Sequence, residues 1–168
     1  MSLSLSEVSS GLPKDNDENQ LVVFTLAGCE LAVGIRQVRE IIRVSQVTLM
    51  PKAPKFLEGI LNLRGRIIPV LDLKKRFDMP LVDKTDETRV LVVEIKDQFM
   101  GLLVDKVVGV LRLPATAIQP PTEAVLTIAP EYLAGVATLD DRLILLFQLE
   151  KLFTFDEIKS LPDLEATL

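Results

Sequence analysis

The strongest constraint on this chain is that it repeats itself. Residues 53–77 read APKFLEGILNLRGRIIPVLDLKKRF, and residues 129–153, 76 positions later, read APEYLAGVATLDDRLILLFQLEKLF. Ala53/Ala129, Pro54/Pro130, Leu57/Leu133, Gly59/Gly135, Leu63/Leu139, Arg66/Arg142, Ile68/Ile144, Leu73/Leu149, Lys75/Lys151 and Phe77/Phe153 are identical without a gap. Most remaining strand-type positions stay apolar. A duplicated segment means two homologous halves, each a small unit with one apolar face. Units of roughly 60 residues bury only about 60% of their unfolded surface, so the halves must pack together or exchange strands over a shared core.

Within the unit, Ile60, Leu63, Ile67, Ile68, Val70 and Leu71 flank Arg64-Gly65. Glycine can take the positive φ of a tight reversal, which makes this a β-hairpin. Pro69 donates no ladder hydrogen bond, so its strand either lies at an edge or leaves that side unpaired. Asp72 precedes LKKRF and has the chemistry of an N-cap, accepting from the N–H of Leu73 or Lys74 to start a short helix. The repeat also reaches upstream. Residues 21–26 and 30–34 form a hairpin around Ala27-Gly28, and it recurs 69 positions later as 88–95 and 99–104 around Lys96-Asp97. Val22-Val23-Phe24 then lies over Leu91-Val92-Val93, Leu31 over Met100, and Arg43 over Arg112.

Residues 35–44, IRQVREIIRV, fit both helical and strand periods. The preferred reading is a short helical turn at 35–38 followed by a strand from about Glu40. The polar stretch 78–87 is the passage between halves, and residues 114–130, with four prolines, are a long surface connection. Residues 149–153 form the second helical turn. A C-terminal helix is expected at 155–161, with Asp156 and Glu157 at its positive end and Pro162 as its stop. The expected organisation is a disordered tail at 1–19, one domain at 20–155 made of two subdomains related by the repeat, and a C-terminal helix and tail at 156–168. Closing each subdomain into a small barrel removes its exposed edges.

Composition removes several functions. The net charge is −5, which opposes binding to nucleic-acid phosphates or anionic lipid. A small-barrel nucleic-acid binder, the rival class, would need a basic groove and exposed aromatics for stacking. The sequence instead has one Tyr, no Trp, and seven Phe mostly within apolar strand patterns. Histidine is absent and Cys29 is the only cysteine, so Ser-His-Asp and Cys-His sites, histidine or four-cysteine metal sites and internal disulfides are excluded. No phosphate-binding glycine loop occurs, and Asp72, Glu94, Asp105, Asp140 and Asp141 show no spacing that defends a catalytic carboxylate pair. The expectation is a protein with no enzymatic activity, cofactor or metal. The N-terminus lacks a signal-peptide pattern and no apolar run approaches the roughly 20 residues of a membrane span, so a cytoplasmic protein is expected.

NLRGRIIPVLDL at 62–73 resembles the signature of the CheW coupling proteins of bacterial chemotaxis. The likeness extends from Leu21-Val22-Val23-Phe24 through Val38-Arg39-Glu40-Ile41 and Gly101-Leu102-Leu103-Val104-Asp105 to Glu131-Tyr132-Leu133-Ala134-Gly135. This resemblance implies a mainly β fold of two intertwined SH3-like five-stranded barrels with short helical turns. It implies an adaptor linking the histidine kinase CheA, through its regulatory domain, to the cytoplasmic tip of methyl-accepting chemoreceptors. One barrel would dock on the kinase domain, and a groove between the barrels on a receptor helical hairpin. A CheW-like adaptor of a non-flagellar chemosensory pathway fits the same residues.

The resemblance also implies the site residues. Arg64 belongs to the control surface, and Asp140 at the equivalent position shows that the turn alone does not demand Arg. Val38 and Glu40 belong to the partner-facing edge, where Glu40 with Arg43 could form a charged rim around apolar contacts. Gly59 lies in a loop near the kinase contact, although its repeat in Gly135 equally suits a backbone role. Val90 and Val110 fall on strands along the receptor groove.

Overall fold

The computed structural model describes residues 18–50, 56–81, 83–121 and 128–152. The tail at 1–17 and the helix at 155–161 lie outside them. The first half contributes β1 (Glu18–Leu26), β2 (Cys29–Gly34), β3 (Val38–Arg43), β4 (Val47–Leu49), β5 (Leu57–Leu63), β6 (Arg66–Asp72) and the short helix α1 (Leu73–Arg76). The second contributes β7 (Arg89–Ile95), β8 (Gln98–Val104), β9 (Lys106–Pro114), β10 (Ile118–Gln119), β11 (Leu133–Leu139) and β12 (Arg142–Phe147). Single 3₁₀ turns occupy Ile35–Gln37, Val44–Gln46, Ala115–Ala117, Pro130–Tyr132 and Leu149–Lys151.

These strands form two curled sheets. The first, barrel 1, runs β10-β11-β12-β2-β1-β9; the second, barrel 2, runs β3-β7-β8-β6-β5-β4. Each sheet has six strands where five were expected. The reason is that β3 and β4, at opposite ends of one sheet, are a single chain segment bent by the 3₁₀ turn Val44–Gln46. The segment β9 and β10 closes the other barrel in the same way around Ala115–Ala117. The long connection expected after Pro114 is therefore partly ordered.

Both barrels mix the two halves. The β1–β2 hairpin of the first half joins β9–β12, and the β7–β8 hairpin of the second joins β3–β6. Equivalent pairings recur in register: Phe24↔Leu31 with Val93↔Met100, Leu57↔Leu71 with Leu133↔Phe147, and Ile42↔Val90 with Leu111↔Leu21. The exchange is sealed by two parallel junctions, Leu146↔Ala32 and Val70↔Gly101, which are also equivalent to each other. β1 begins at Glu18, inside the stretch read as tail, because its ladder with β9 continues through Glu18↔Pro114 and Asn19↔Leu113. Pro69 lies in an interior strand rather than an edge strand, but the pairing of β6 with β8 starts only at Val70, so the second of the two expected placements holds.

Pleating sorts the buried apolar residues, among the described ones, into three clusters. Leu21, Val23, Leu111 and Ile144 fill barrel 1; Ile42, Leu61, Ile68, Val90 and Leu103 fill barrel 2. The largest cluster lies between the barrels and takes the opposite faces of the same strands, including Val22, Phe24, Leu31, Leu91, Val93, Leu102 and Phe147. Strands buried on both faces read as continuous apolar runs, which is why QLVVF and VLVV show no alternation.

Local chemistry fixes the turns. Ala27-Gly28, Arg64-Gly65 and Lys96-Asp97 all have positive φ at both positions, the type I′ geometry of two-residue hairpins. Arg64 itself sits at φ 52°, so glycine is not the only strained residue of its turn, and Asn62 Oδ1 braces it by accepting the Gly65 N–H at 3.0 Å. Asp72 caps α1 by accepting from the N–H groups of Lys74 and Lys75. Its counterpart Gln148 makes no such bond, and the second copy is a 3₁₀ turn. Between the barrels, Asp105 accepts from the Ala27 N–H of barrel 1 and from the buried Lys74 ammonium of α1, while its own N–H donates to Thr25 O.

Candidate functional site

Six of the seven expected site residues lie on barrel 2: Val38, Glu40 and Arg43 on β3, Gly59 on β5, Arg64 in the β5–β6 turn and Val90 on β7. Val110 lies on β9 of barrel 1. Two of the seven leave the candidate surface. Val90 is fully buried inside barrel 2, packed with Ile42 and Val92, so it lines no groove. Gly59 is buried where β4 crosses β5; a Cβ there would stand 2.1 Å from the Thr48 carbonyl oxygen. Its glycine is a packing requirement.

The other five separate by strand parity. Glu40 faces the same side as its partner Val92, toward the mouth of barrel 2. There its carboxylate accepts from Arg64 Nη1 at 2.9 Å, across 24 positions of sequence. The expected Glu40–Arg43 rim does not form. A β-bulge between Val38 and Glu40 swings Arg39 to Glu94 at 2.8 Å, and Arg43 sits opposite Arg89 on the other face. Glu94 stands directly opposite Phe99, and the Arg66 guanidinium lies over the Phe99 ring, 4.3 Å from its centroid. Arg64, Glu40, Arg39, Glu94, Phe99 and Arg66 thus follow one another around the mouth of barrel 2. Exposed ion pairs of this kind add about 0.2–1 kcal/mol to stability, so the rim does not hold the fold. It presents fixed charges around an apolar plug that includes Phe99 and Leu63.

The second surface is the seam between the barrels. Val38 sits opposite Val93, Ile41 opposite Leu91 and Val110 opposite Val22, all on the face that builds the inter-barrel cluster. Val38 and Val110 are half-buried against that cluster, Ile41 is 41% exposed and Arg43 is exposed. β3 therefore serves two surfaces of different chemistry, with charge on one face and apolar side chains on the other. No role for Ile41, Arg39, Arg66 or Phe99 was expected, although the first three lie in stretches that carry the resemblance. The usable signal is divergence of the two copies: Phe99 falls on Glu30, and Ile41 on Val110.

Among the described residues, no group of three or more His, Cys, Asp or Glu could hold a metal ion, and no helix is long and apolar enough to cross a membrane.

Two strand-exchanged SH3-like barrels with a charged rim and an apolar seam make a module built to present surfaces to other proteins. The chain belongs to the CheW-like domain family, whose profile matches residues 20–157. It is 37% identical to the chemotaxis protein CheW of Klebsiella aerogenes over 139 residues, covering 83% of this chain and 84% of the relative. It is 32% identical to that of Treponema pallidum over 89% of this chain and 91% of the relative. Protein PilI of Pseudomonas aeruginosa is 31% identical over 71% of this chain and 70% of the relative. The crystal structure of the scaffolding protein TtCheW from Thermoanaerobacter tengcongensis superposes with a TM-score of 0.77 at 38% identity, covering 88% of this chain and 93% of that one.

Proposed function

We propose that this chain is a non-catalytic coupling protein of a chemosensory array, holding the regulatory domain of the histidine kinase CheA and the cytoplasmic tip of a chemoreceptor at the same time. The observation that carries the reading is the division of β3 between two surfaces. The charged rim of Glu40, Arg64, Arg39 and Glu94 suits a polar domain face, where such charges steer docking and set register. The seam of Val38, Ile41 and Val110, edged by Arg43, suits an amphipathic helical hairpin gripped through apolar anchors. The adaptor acts by geometry. Each contact can be weak, because holding two partners together raises the effective concentration of one for the other, and receptor conformation then biases kinase activity through the shared scaffold. In this reading the protein is cytoplasmic and peripheral to receptors at the inner face of the membrane.

The test is a pull-down of the full chain with a CheA regulatory domain and a receptor cytoplasmic fragment from the same source. Capture of both in one complex is expected, and a purified chain that ignores both ends the proposal. The likeness to PilI supports a second reading, an adaptor of a non-flagellar chemosensory pathway. Binding to the kinase of that pathway in preference to the flagellar one would select it.

A further inference from the structure

The duplication supplies an internal control for one part of the rim. An offset of 76 places Arg66 on Arg142, and an offset of 69 places Phe99 on Glu30. At the mouth of barrel 1, Arg142 grips Glu30 with two nitrogens, Nε donating to Oε2 at 3.0 Å and Nη2 to Oε1. The pair is mutually satisfied: the hydrogen bonds from Arg142 hold the Glu30 carboxyl below its usual range, and the same bonds raise the Arg142 pKa. At the mouth of barrel 2 the arginine is retained and the carboxylate has become a phenyl ring. The two nearby acids are already engaged, Glu94 by Arg39 and Glu40 by Arg64. Among the described residues no carboxylate pairs with Arg66. The rim thus carries three cations, Arg39, Arg64 and Arg66, against two anions, Glu40 and Glu94, on a chain whose net charge is −5.

We infer that Arg66, held over the Phe99 ring, grips a carboxylate supplied by the docked kinase regulatory domain, in the place that Glu30 fills within barrel 1. Contact with a ring face satisfies none of the guanidinium N–H donors, so Arg66 retains a fork suited to bidentate recognition of an acid. Phe99 fixes the arginine without neutralising it, which a glutamate at that position would do. The arrangement makes barrel 2 the face that selects an acidic partner surface, while the equivalent fork on barrel 1 is closed by its own chain. This rests on the docking reading above.

The experiment measures binding of a CheA regulatory domain to the full chain by calorimetry at two salt concentrations. Arg66→Met keeps the apolar cover over Phe99 and removes the charge. It is expected to weaken binding about tenfold and to flatten its salt dependence, with an unchanged melting temperature. Arg142→Met on barrel 1 should leave kinase affinity within about twofold of the parent. Phe99→Glu should close the fork internally and weaken binding as much as Arg66→Met, and the double variant should lose nothing further. If Phe99→Glu does not fold, Arg66→Lys takes its place and should recover only part of the affinity, since an ammonium lacks the fork. Arg66→Met binding as tightly as the parent with the same salt slope overturns the inference. A parent chain that does not bind the kinase domain overturns the docking reading and the inference with it. Loss on Arg64→Ala with none on Arg66→Met overturns the inference alone.

Discussion

Replacing Gly59 by alanine tests whether this glycine closes barrel 2 or contacts a partner. The added Cβ would lie 2.1 Å from Thr48 O, 2.9 Å from Thr48 C and 3.0 Å from the Leu49 Cα, all backbone atoms of β4. Carbon and carbonyl oxygen normally approach no closer than about 3.3 Å, so β4 must withdraw by roughly 1.2 Å. That separation breaks the pairing Val47↔Leu61, Thr48↔Ile60 and Leu49↔Gly59, which seats the last strand of the barrel. Losing two or three ladder hydrogen bonds costs about 2–3 kcal/mol. The lower unfolded-state entropy of alanine offsets under about 1 kcal/mol of this. With roughly 1.5–2.5 kcal/mol left, the melting temperature of a domain of this size should fall by about 3–10 °C. Gly135→Ala is the matched control. Its nearest neighbours are the Ile118 Cγ2 methyl at 2.5 Å and Gln119 O at 3.1 Å, and a side-chain methyl can yield. Its cost should be about 1 kcal/mol, a fall of about 2–4 °C. Thermal melts followed by circular dichroism on both variants decide the matter. A Gly59→Ala protein that melts within about one degree of the parent, or a larger loss in Gly135→Ala, refutes the packing role.

Arg64→Ala should leave the melting temperature nearly unchanged, since its bond to Glu40 is an exposed pair, while weakening receptor-dependent kinase control in a reconstituted assay. Equal loss of fold and function would recast Arg64 as structural. Ile68→Asp places an unpaired carboxylate in the fully buried interior of barrel 2 and should abolish cooperative unfolding; a sharp melt near the parent's contradicts the core assignment. Burial pushes the Glu58 carboxyl up, but the hydrogen bonds and charges of Lys84 and Lys75 outweigh it and leave its pKa lowered. A lowered folded-state pKa means stability that is present above the unfolded value of about 4.3 and lost as pH falls through the folded one. Glu58→Gln should therefore cost about 1 kcal/mol in urea melts at neutral pH, and the difference should shrink as pH falls below the unfolded value and through the lowered folded one; a gap independent of pH would count against the pairing. Asp72→Ala removes the cap of α1 and should cost about 1 kcal/mol, whereas Gln148→Ala should cost almost nothing.

The duplication was legible because identical residues recur at a constant spacing, but it left open whether the halves pack together or exchange strands, and the structure shows exchange. Which hairpin joins which barrel was not legible. Val22-Val23-Phe24 and Leu91-Val92-Val93 are apolar on both faces, so alternation names no neighbour. The same property misled the reading of Val90. A valine in a doubly buried strand looks the same whether it faces the seam, as Leu91 does, or the barrel interior, as Val90 does. Val38, Glu40, Arg43, Arg64 and Val110 all keep some exposure. Their division into rim and seam depended on the bulge at Arg39, which shifts parity in a way no residue type announces. Arg64 finds Glu40 only once the hairpin folds over β3, so the charge expected to partner Glu40 was the sequence-near Arg43.

Among the described residues the chain passes between its two barrels twice, through the three residues Ile35–Gln37 and through Asp105 alone, and Asp105 is itself bonded to both sides. Links this short leave no slack for a hinge, and the apolar cluster between the barrels would have to be opened for either one to tilt. The molecule is therefore a ruler. Whatever stands on the rim and whatever lies in the seam are kept at a set spacing and angle, so a displacement imposed at one is delivered to the other without being absorbed on the way.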